Sequence, residues 1–172
     1  GDEGGSDLLT GGANTERAKE LLEEAGYDGT PIVLMAPTDV ISLNNQPVVA
    51  AQALREAGFE VDMQSMDWQS VVQRRAQQSP VAEGGWNLFF TNWMVPEISD
   101  PLTNVMVSGR GDEAWFGWPD DPEIEAMRTE YVSASDDATK KEIATRIQEH
   151  VMDNVNYLMM GEYIIPQARR SN

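Results

Sequence analysis

A mainly parallel sheet flanked by helices, an α/β fold, is the architecture this sequence predicts, and three observations predict it. Short apolar runs suited to strands alternate with amphipathic stretches of helical period. Capping residues and glycines punctuate the alternation where helices should start and stop. The chain of 172 residues also has room for one core of ordinary size.

Residues 1–14, rich in Gly and Asp, carry no periodicity and read as a loop or the ragged edge of a domain. From Thr15, Ala18, Leu21, Leu22 and Ala25 fall on one helical face, and Gly26 stands where a left-handed C-terminal cap is wanted, giving a helix over about 15–25. Ile32 to Ala36 is a continuous apolar run closed by Pro37, as expected of a strand covered on both faces. The next helix takes Pro47 in its first turn, presents Val49, Ala50, Ala53, Leu54 and Ala57 to a core, and ends at Gly58. Phe59 to Met66 alternates as a half-buried strand. Asp67 caps a helix that begins at Trp68 and buries Val71, Val72 and Ala76, and Trp86 to Thr91 supplies the next strand.

Strand, helix, strand, helix, strand is the order that builds parallel sheets through crossover connections, and ligand clefts in such sheets open beyond the carboxyl ends of the strands. Directly after the third strand lies a long segment, 92–121, rich in Trp, Pro and Gly and without periodicity. Loops of that length in a compact domain are usually functional or disordered. Helices over 122–132 and 136–153 follow, the second with Ile143, Ile147 and Val151 on one stripe. Tyr157 to Ile165 reads as a closing strand ended by Pro166.

Composition narrows function. With 29 acidic against 12 basic side chains, the formal net charge of −17 repels nucleic acid and anionic lipid. Most of these carboxylates read as a solvated surface, and the same acidity suits cationic or amine-bearing ligands. No cysteine is present, so neither disulfides nor thiolate metal sites can form, and Asp120-Asp121-Pro122-Glu123 lacks the pattern of a calcium loop. Asp121 instead reads as a helix cap. No phosphate-cradling or serine-nucleophile motif occurs, and the one histidine, His150, sits inside a helix. Neither a catalytic residue, a metal site nor a cofactor is expected. No apolar run is long enough to span a membrane, and Gly1-Asp2-Glu3-Gly4-Gly5 is unlike a signal peptide.

Chemistry concentrates in Asn92-Trp93-Met94-Val95-Pro96-Glu97-Ile98-Ser99-Asp100-Pro101. A carboxylate beside a tryptophan at a strand's carboxyl end can hold an ammonium or guanidinium by charge and ring-face attraction. Trp93 and Glu97 read equally as binding or packing groups, and Asp100 as a binding group or the cap of a short turn. Trp115-Phe116-Gly117-Trp118-Pro119 reads as a cleft wall or as a satellite core beneath the loop.

These stretches together resemble a known family. Ala18-Lys19-Glu20-Leu21-Leu22-Glu23-Glu24-Ala25-Gly26-Tyr27, Leu54-Arg55-Glu56-Ala57-Gly58-Phe59-Glu60-Val61, Met66-Asp67-Trp68 ahead of Gln73-Arg74-Arg75, the segment from Trp93 to Asp100-Pro101, and the helix start from Trp118 to Met127 occur in an order similar to the C-terminal lobe of family 5 solute-binding proteins. These are the dipeptide, oligopeptide and nickel receptors of bacterial ABC importers. The resemblance covers about residues 15–168. It implies a periplasmic-binding-protein-like lobe over 15–172 of a two-lobed receptor whose N-terminal lobe is absent here, working outside the cytoplasmic membrane with an ABC permease. It implies no enzyme activity.

In peptide-binding relatives an aspartate four residues before the Asp-Pro proline takes the ligand's amino terminus. That position here is Glu97, one methylene longer. The implied solute is a peptide, an opine or a similar amine-bearing molecule, with Trp93, Trp115 and Trp118 as walls. Two readings from other classes stand beside it. One is a hydrolase or transferase using Glu97 and Asp100 as a carboxylate pair. The other is an interaction domain whose tryptophan-rich loop docks a protein.

Overall fold

A computed structural model describes residues 12–166 and 168–170. The expected edge at 1–14 therefore lies mostly outside the described residues. Helix α1 spans Thr15–Glu24, started by Asn14, whose side chain accepts the Arg17 N–H, and followed by Gly26 at φ 69°. The positive φ explains the glycine there. Strands β1 (Ile32–Pro37) and β2 (Val61–Met66) pair in parallel, Leu34 opposite Met63, with helix α2 (Gln46–Glu56) as the crossover.

β1 is the buried strand its apolar run predicts: Leu34 and Met35, on opposite faces, are both fully buried. α2 is turned relative to the expected stripe. Pro47 and Ala51 are its buried residues, Ala50 and Leu54 pack beside them, and Val49 is 61% exposed. The small Ala51 lets the helix sit close to Leu34 and Phe90, which carries Val49 outward. The second strand starts at Val61, two residues later than its alternation suggests.

The expected third strand, Trp86 to Thr91, is reduced to one parallel bridge between Leu34 and Leu88. Met35 N–H donates to the Leu88 carbonyl at 2.9 Å. The Val33 N–H goes to Asn87 Oδ1 at 2.8 Å, a side chain standing where a ladder carbonyl would. That substitution limits the ladder on the side before Leu88, and Pro37, without an N–H, offers no donor on the other. Ahead of it, α3 (Trp68–Arg74) is capped by Asp67, which accepts the Ser70 N–H, and by Asp39, which accepts the Trp68 N–H at 2.7 Å.

Segment 92–121 is irregular apart from one short helix, α4 (Val95–Ile98), and isolated turns. α5 (Pro122–Ser133) and α6 (Asp137–Asn154) then pack as a pair. Their core joins Ile143, Ile147 and Val151, the predicted stripe, to Ile124, Met127 and Val107 from the loop. A separate cluster of Leu34, Ala36, Leu43, Ala51 and Phe90 fills the space between sheet and α2. The expected closing strand over 157–165 is not formed. This segment has no ladder partner among the described residues, and Ile164 and Ile165 are 87% and 68% exposed.

Candidate functional site

The carboxyl edge of the sheet gathers the ends of β1, β2 and the 86–91 segment. Thr38 N–H donates to the Met66 carbonyl at 2.9 Å, tying the first two together. Asn92 donates to Ser42 Oγ and to Tyr163 Oη, both at 2.9 Å, tying the third to the loop after β1 and to the C-terminal segment. An open groove of about 330 Å³ lies there, lined by Ser42, Gln46, Met160, Gly161, Glu162 and Tyr163.

Beside that edge the aromatic side chains assemble into one cluster. Trp93 meets Trp115 at 5.6 Å between ring centroids, Trp115 meets Phe89 and Phe116 at 5.5 and 5.3 Å, and Trp118 meets Trp86 at 6.1 Å and Phe116 at 6.4 Å. The structure thus brings Trp93, Trp115 and Trp118 together, all half-buried. Such separations suit edge-to-face and tilted ring pairs. A cation sits at the centre: the Arg75 guanidinium carbon lies 4.6 Å from the Phe116 centroid and 5.6 to 5.8 Å from those of Trp68, Phe89 and Trp115.

The two candidate carboxylates stand apart in role. Glu97, exposed on α4, reaches back with Oε2 to accept the Met94 N–H at 3.1 Å. Asp100 spends both oxygens within the chain, Oδ1 on the Leu102 N–H at 2.8 Å and Oδ2 on the Tyr131 hydroxyl at 3.0 Å. Burial first, and then this carboxylate, push the Tyr131 phenol upward. Asp100 therefore fastens the loop to α5, while the Glu97 head remains at the surface.

His150 and Asp121 form a third cluster. Asp121 Oδ1 accepts the Glu123 and Ile124 N–H groups at the start of α5, and Oδ2 lies 2.7 Å from His150 Nε2. Burial alone would raise this carboxyl. The His150 hydrogen bond, the Ile124 N–H, the His150 charge and the Glu123 N–H together outweigh it and hold Asp121 below its ordinary 3.8. A carboxyl depressed in the fold adds stability above its unfolded pKa and loses it as pH falls through the folded value. The stability advantage of the wild type over Asp121→Asn is expected to shrink as pH falls below about 5. Urea unfolding at stepped pH measures it, and a constant gap would contradict the assignment. No group of three or more metal-ligating side chains exists among the described residues, and no helix among them is long and apolar enough to cross a membrane.

The profile of Bacterial extracellular solute-binding proteins, family 5 Middle, matches residues 2–115. The chain belongs to this family. A probable peptide ABC transporter periplasmic-binding protein, y4tO of Sinorhizobium fredii, is 33% identical over 157 residues, covering 91% of this chain and 30% of its own length. The chain thus spans less than a third of the length of that relative. Among solved structures, the ABC transporter substrate-binding protein CtaP of Listeria monocytogenes superposes with a TM-score of 0.65 at 16% identity, covering 82% of this chain and 28% of that one. A periplasmic oligopeptide-binding protein of Thermotoga maritima, solved with mannohexaose bound, gives 0.60 at 17% identity, covering 83% and 30%. These likenesses establish the α/β lobe of the family as the fold.

Sequence reading passed over the members of the cluster outside the loop. Trp86 and Phe89 read as strand residues, and Arg75 as part of a motif. A usable signal was present: Trp68 and Arg75 are seven apart from the start of α3, two turns on one face, which sets the cation beneath the ring.

Proposed function

We propose that the receptor containing this chain captures a small amine-bearing solute, peptide-like or opine-like, outside the cytoplasmic membrane and delivers it to an ABC permease. In this reading the chain is the C-terminal lobe, 15–172, of a two-lobed binding protein and has no catalytic role. The observation that carries it is Glu97, an exposed carboxylate in the loop leaving the carboxyl edge of the sheet, in a chain of the solute-binding family. Glu97 takes the ligand's charge by a charge-assisted hydrogen bond, Trp93 and Trp115 give it an apolar wall, and Trp118 buttresses that wall through Phe116. Asp100 positions the loop through Tyr131.

Neutralising the carboxylate without changing its shape tests the assignment. Glu97→Gln in the intact receptor is expected to weaken binding of an amine-bearing solute by roughly 1.5–3 kcal/mol, the worth of a hydrogen bond to a charged group. Calorimetric titration of both proteins reads the difference. Equal affinities would make Glu97 a loop residue and remove the charge-recognition role.

A further inference from the structure

Two consecutive arginines end α3, and the structure treats them in opposite ways. Each guanidinium nitrogen of Arg74 is engaged: Nε donates to the Gly84 carbonyl and Nη2 to the Gly85 carbonyl, both at 2.9 Å, while Nη1 donates to Gln64 Oε1. It pins the turn that leads into the 86–91 segment. The Arg75 side chain makes no hydrogen bond or ion pair with any described residue, and its Nε is buried without an acceptor. Its surroundings are the four rings of Trp68, Phe89, Trp115 and Phe116. Burial lowers its pKa, with no carboxylate acting in the other direction.

Ring faces attract a guanidinium but accept no strong hydrogen bond, so the buried Nε–H of Arg75 remains without an acceptor. A buried donor without a partner destabilises the state that holds it. An incoming planar acceptor would recover that cost and gain a charge-assisted contact besides. The side chain as a whole is only part-buried, which leaves the fork open to an acceptor. Trp115 lies between this cage and Trp93, so the cation and the proposed amine-binding loop share one wall.

We propose that Arg75 in its aromatic cage is a carboxylate-binding site. The carboxylate comes either from the solute, which would then be amphoteric with its amine toward Glu97, or from another part of the receptor that closes over the cage. Only the first source rests on the function proposed above.

The test is an NMR titration of the isotope-labelled 172-residue chain with sodium acetate, against sodium chloride at equal ionic strength, reading the Arg75 Nε–H and Trp115 indole N–H resonances. A saturable, acetate-specific shift of both is expected. In Arg75→Lys, which keeps the charge but loses the planar fork, the Trp115 response should need roughly tenfold more acetate. An absent response, one equal to that of chloride, or one unchanged in Arg75→Lys would overturn the site. The same titration of the ligand-free intact receptor separates the sources: a retained acetate response assigns the site to solute, and a resonance already at its acetate-bound position assigns it to the receptor's own carboxylate. Because acetate carries no amine, failure here leaves the Glu97 assignment untouched, and failure of Glu97→Gln leaves this one untouched.

Discussion

Replacing Leu34 by alanine is expected to lower the unfolding free energy of the chain by about 3 kcal/mol, within the roughly 2–5 kcal/mol seen for buried leucines. Leu34 has no exposed surface, lies in the middle of β1, and packs in the cluster that includes Leu43, Ala51 and Phe90 between sheet and α2. It is also the residue at which β1 meets both neighbours, paired with Met63 on β2 and bridged to Leu88. The truncation leaves a cavity where three elements converge, and backbone pairing on either side limits how far they can collapse into it. Urea unfolding checks this. A lower midpoint at unchanged slope is the expected result, and a loss under about 1 kcal/mol would mean that the sheet does not organise this core.

Gly109→Ala should cost a similar amount, roughly 3 kcal/mol, by overpacking. An added Cβ would collide with the Asp121 carbonyl and the Ile124 side chain, and would lie 2.8 Å from Asp121 Cβ. Ile124 is fully buried and the carbonyl is backbone, so neither can yield cheaply. Gly109 also exchanges hydrogen bonds across this contact, accepting the Asp121 N–H at 2.9 Å and donating to Glu125 Oε1 at 2.8 Å. The substitution therefore loosens the root of the loop carrying Trp115 and Trp118. It should lower the unfolding midpoint and also shift tryptophan emission before global unfolding. A wild-type midpoint and spectrum would show that the loop is anchored elsewhere.

How much of this was legible in sequence depended on whether a signal was local. The apolar run Ile32 to Ala36, the stripe Ile143, Ile147, Val151 and the caps Asp67 and Asp121 were readable because each is decided within a turn or a strand. The short third strand was not, since its limit before Leu88 is set by the Asn87 side chain reaching Val33, 54 residues away. Nor was the rotation of α2, fixed by the fit of Ala51 against Leu34 and Phe90. Tyr157 to Ile165 has strand composition but no strand, because a strand is completed by its neighbour rather than by its own residues.

The candidate site divides along the same line. Trp93, Trp115 and Trp118 stood out by residue type, and the structure places them in one cluster. Asp100 carried the same acidic signal as Glu97, yet its partner Tyr131 lies 31 residues on, and only the fold shows its carboxylate engaged. Arg75 was hidden for the opposite reason: its significance lies in the acceptors it lacks, and an unmet hydrogen bond leaves no mark in a sequence.

Enclosure of a solute between this lobe and the rest of the receptor is the central claim, and parallel calorimetric titrations test it most directly. The intact, ligand-stripped receptor and the 172-residue chain would each be titrated with the same panel of peptides, opines and nickel complexes. Affinity in a two-lobed clamp comes from contact area buried on closure and from the closing equilibrium, which one lobe of such a clamp cannot supply by itself. The account predicts saturable binding of an amine-bearing member by the receptor and negligible heat from the chain. A tight stoichiometric complex with the chain alone, or a receptor that binds no amine-bearing solute, would contradict it.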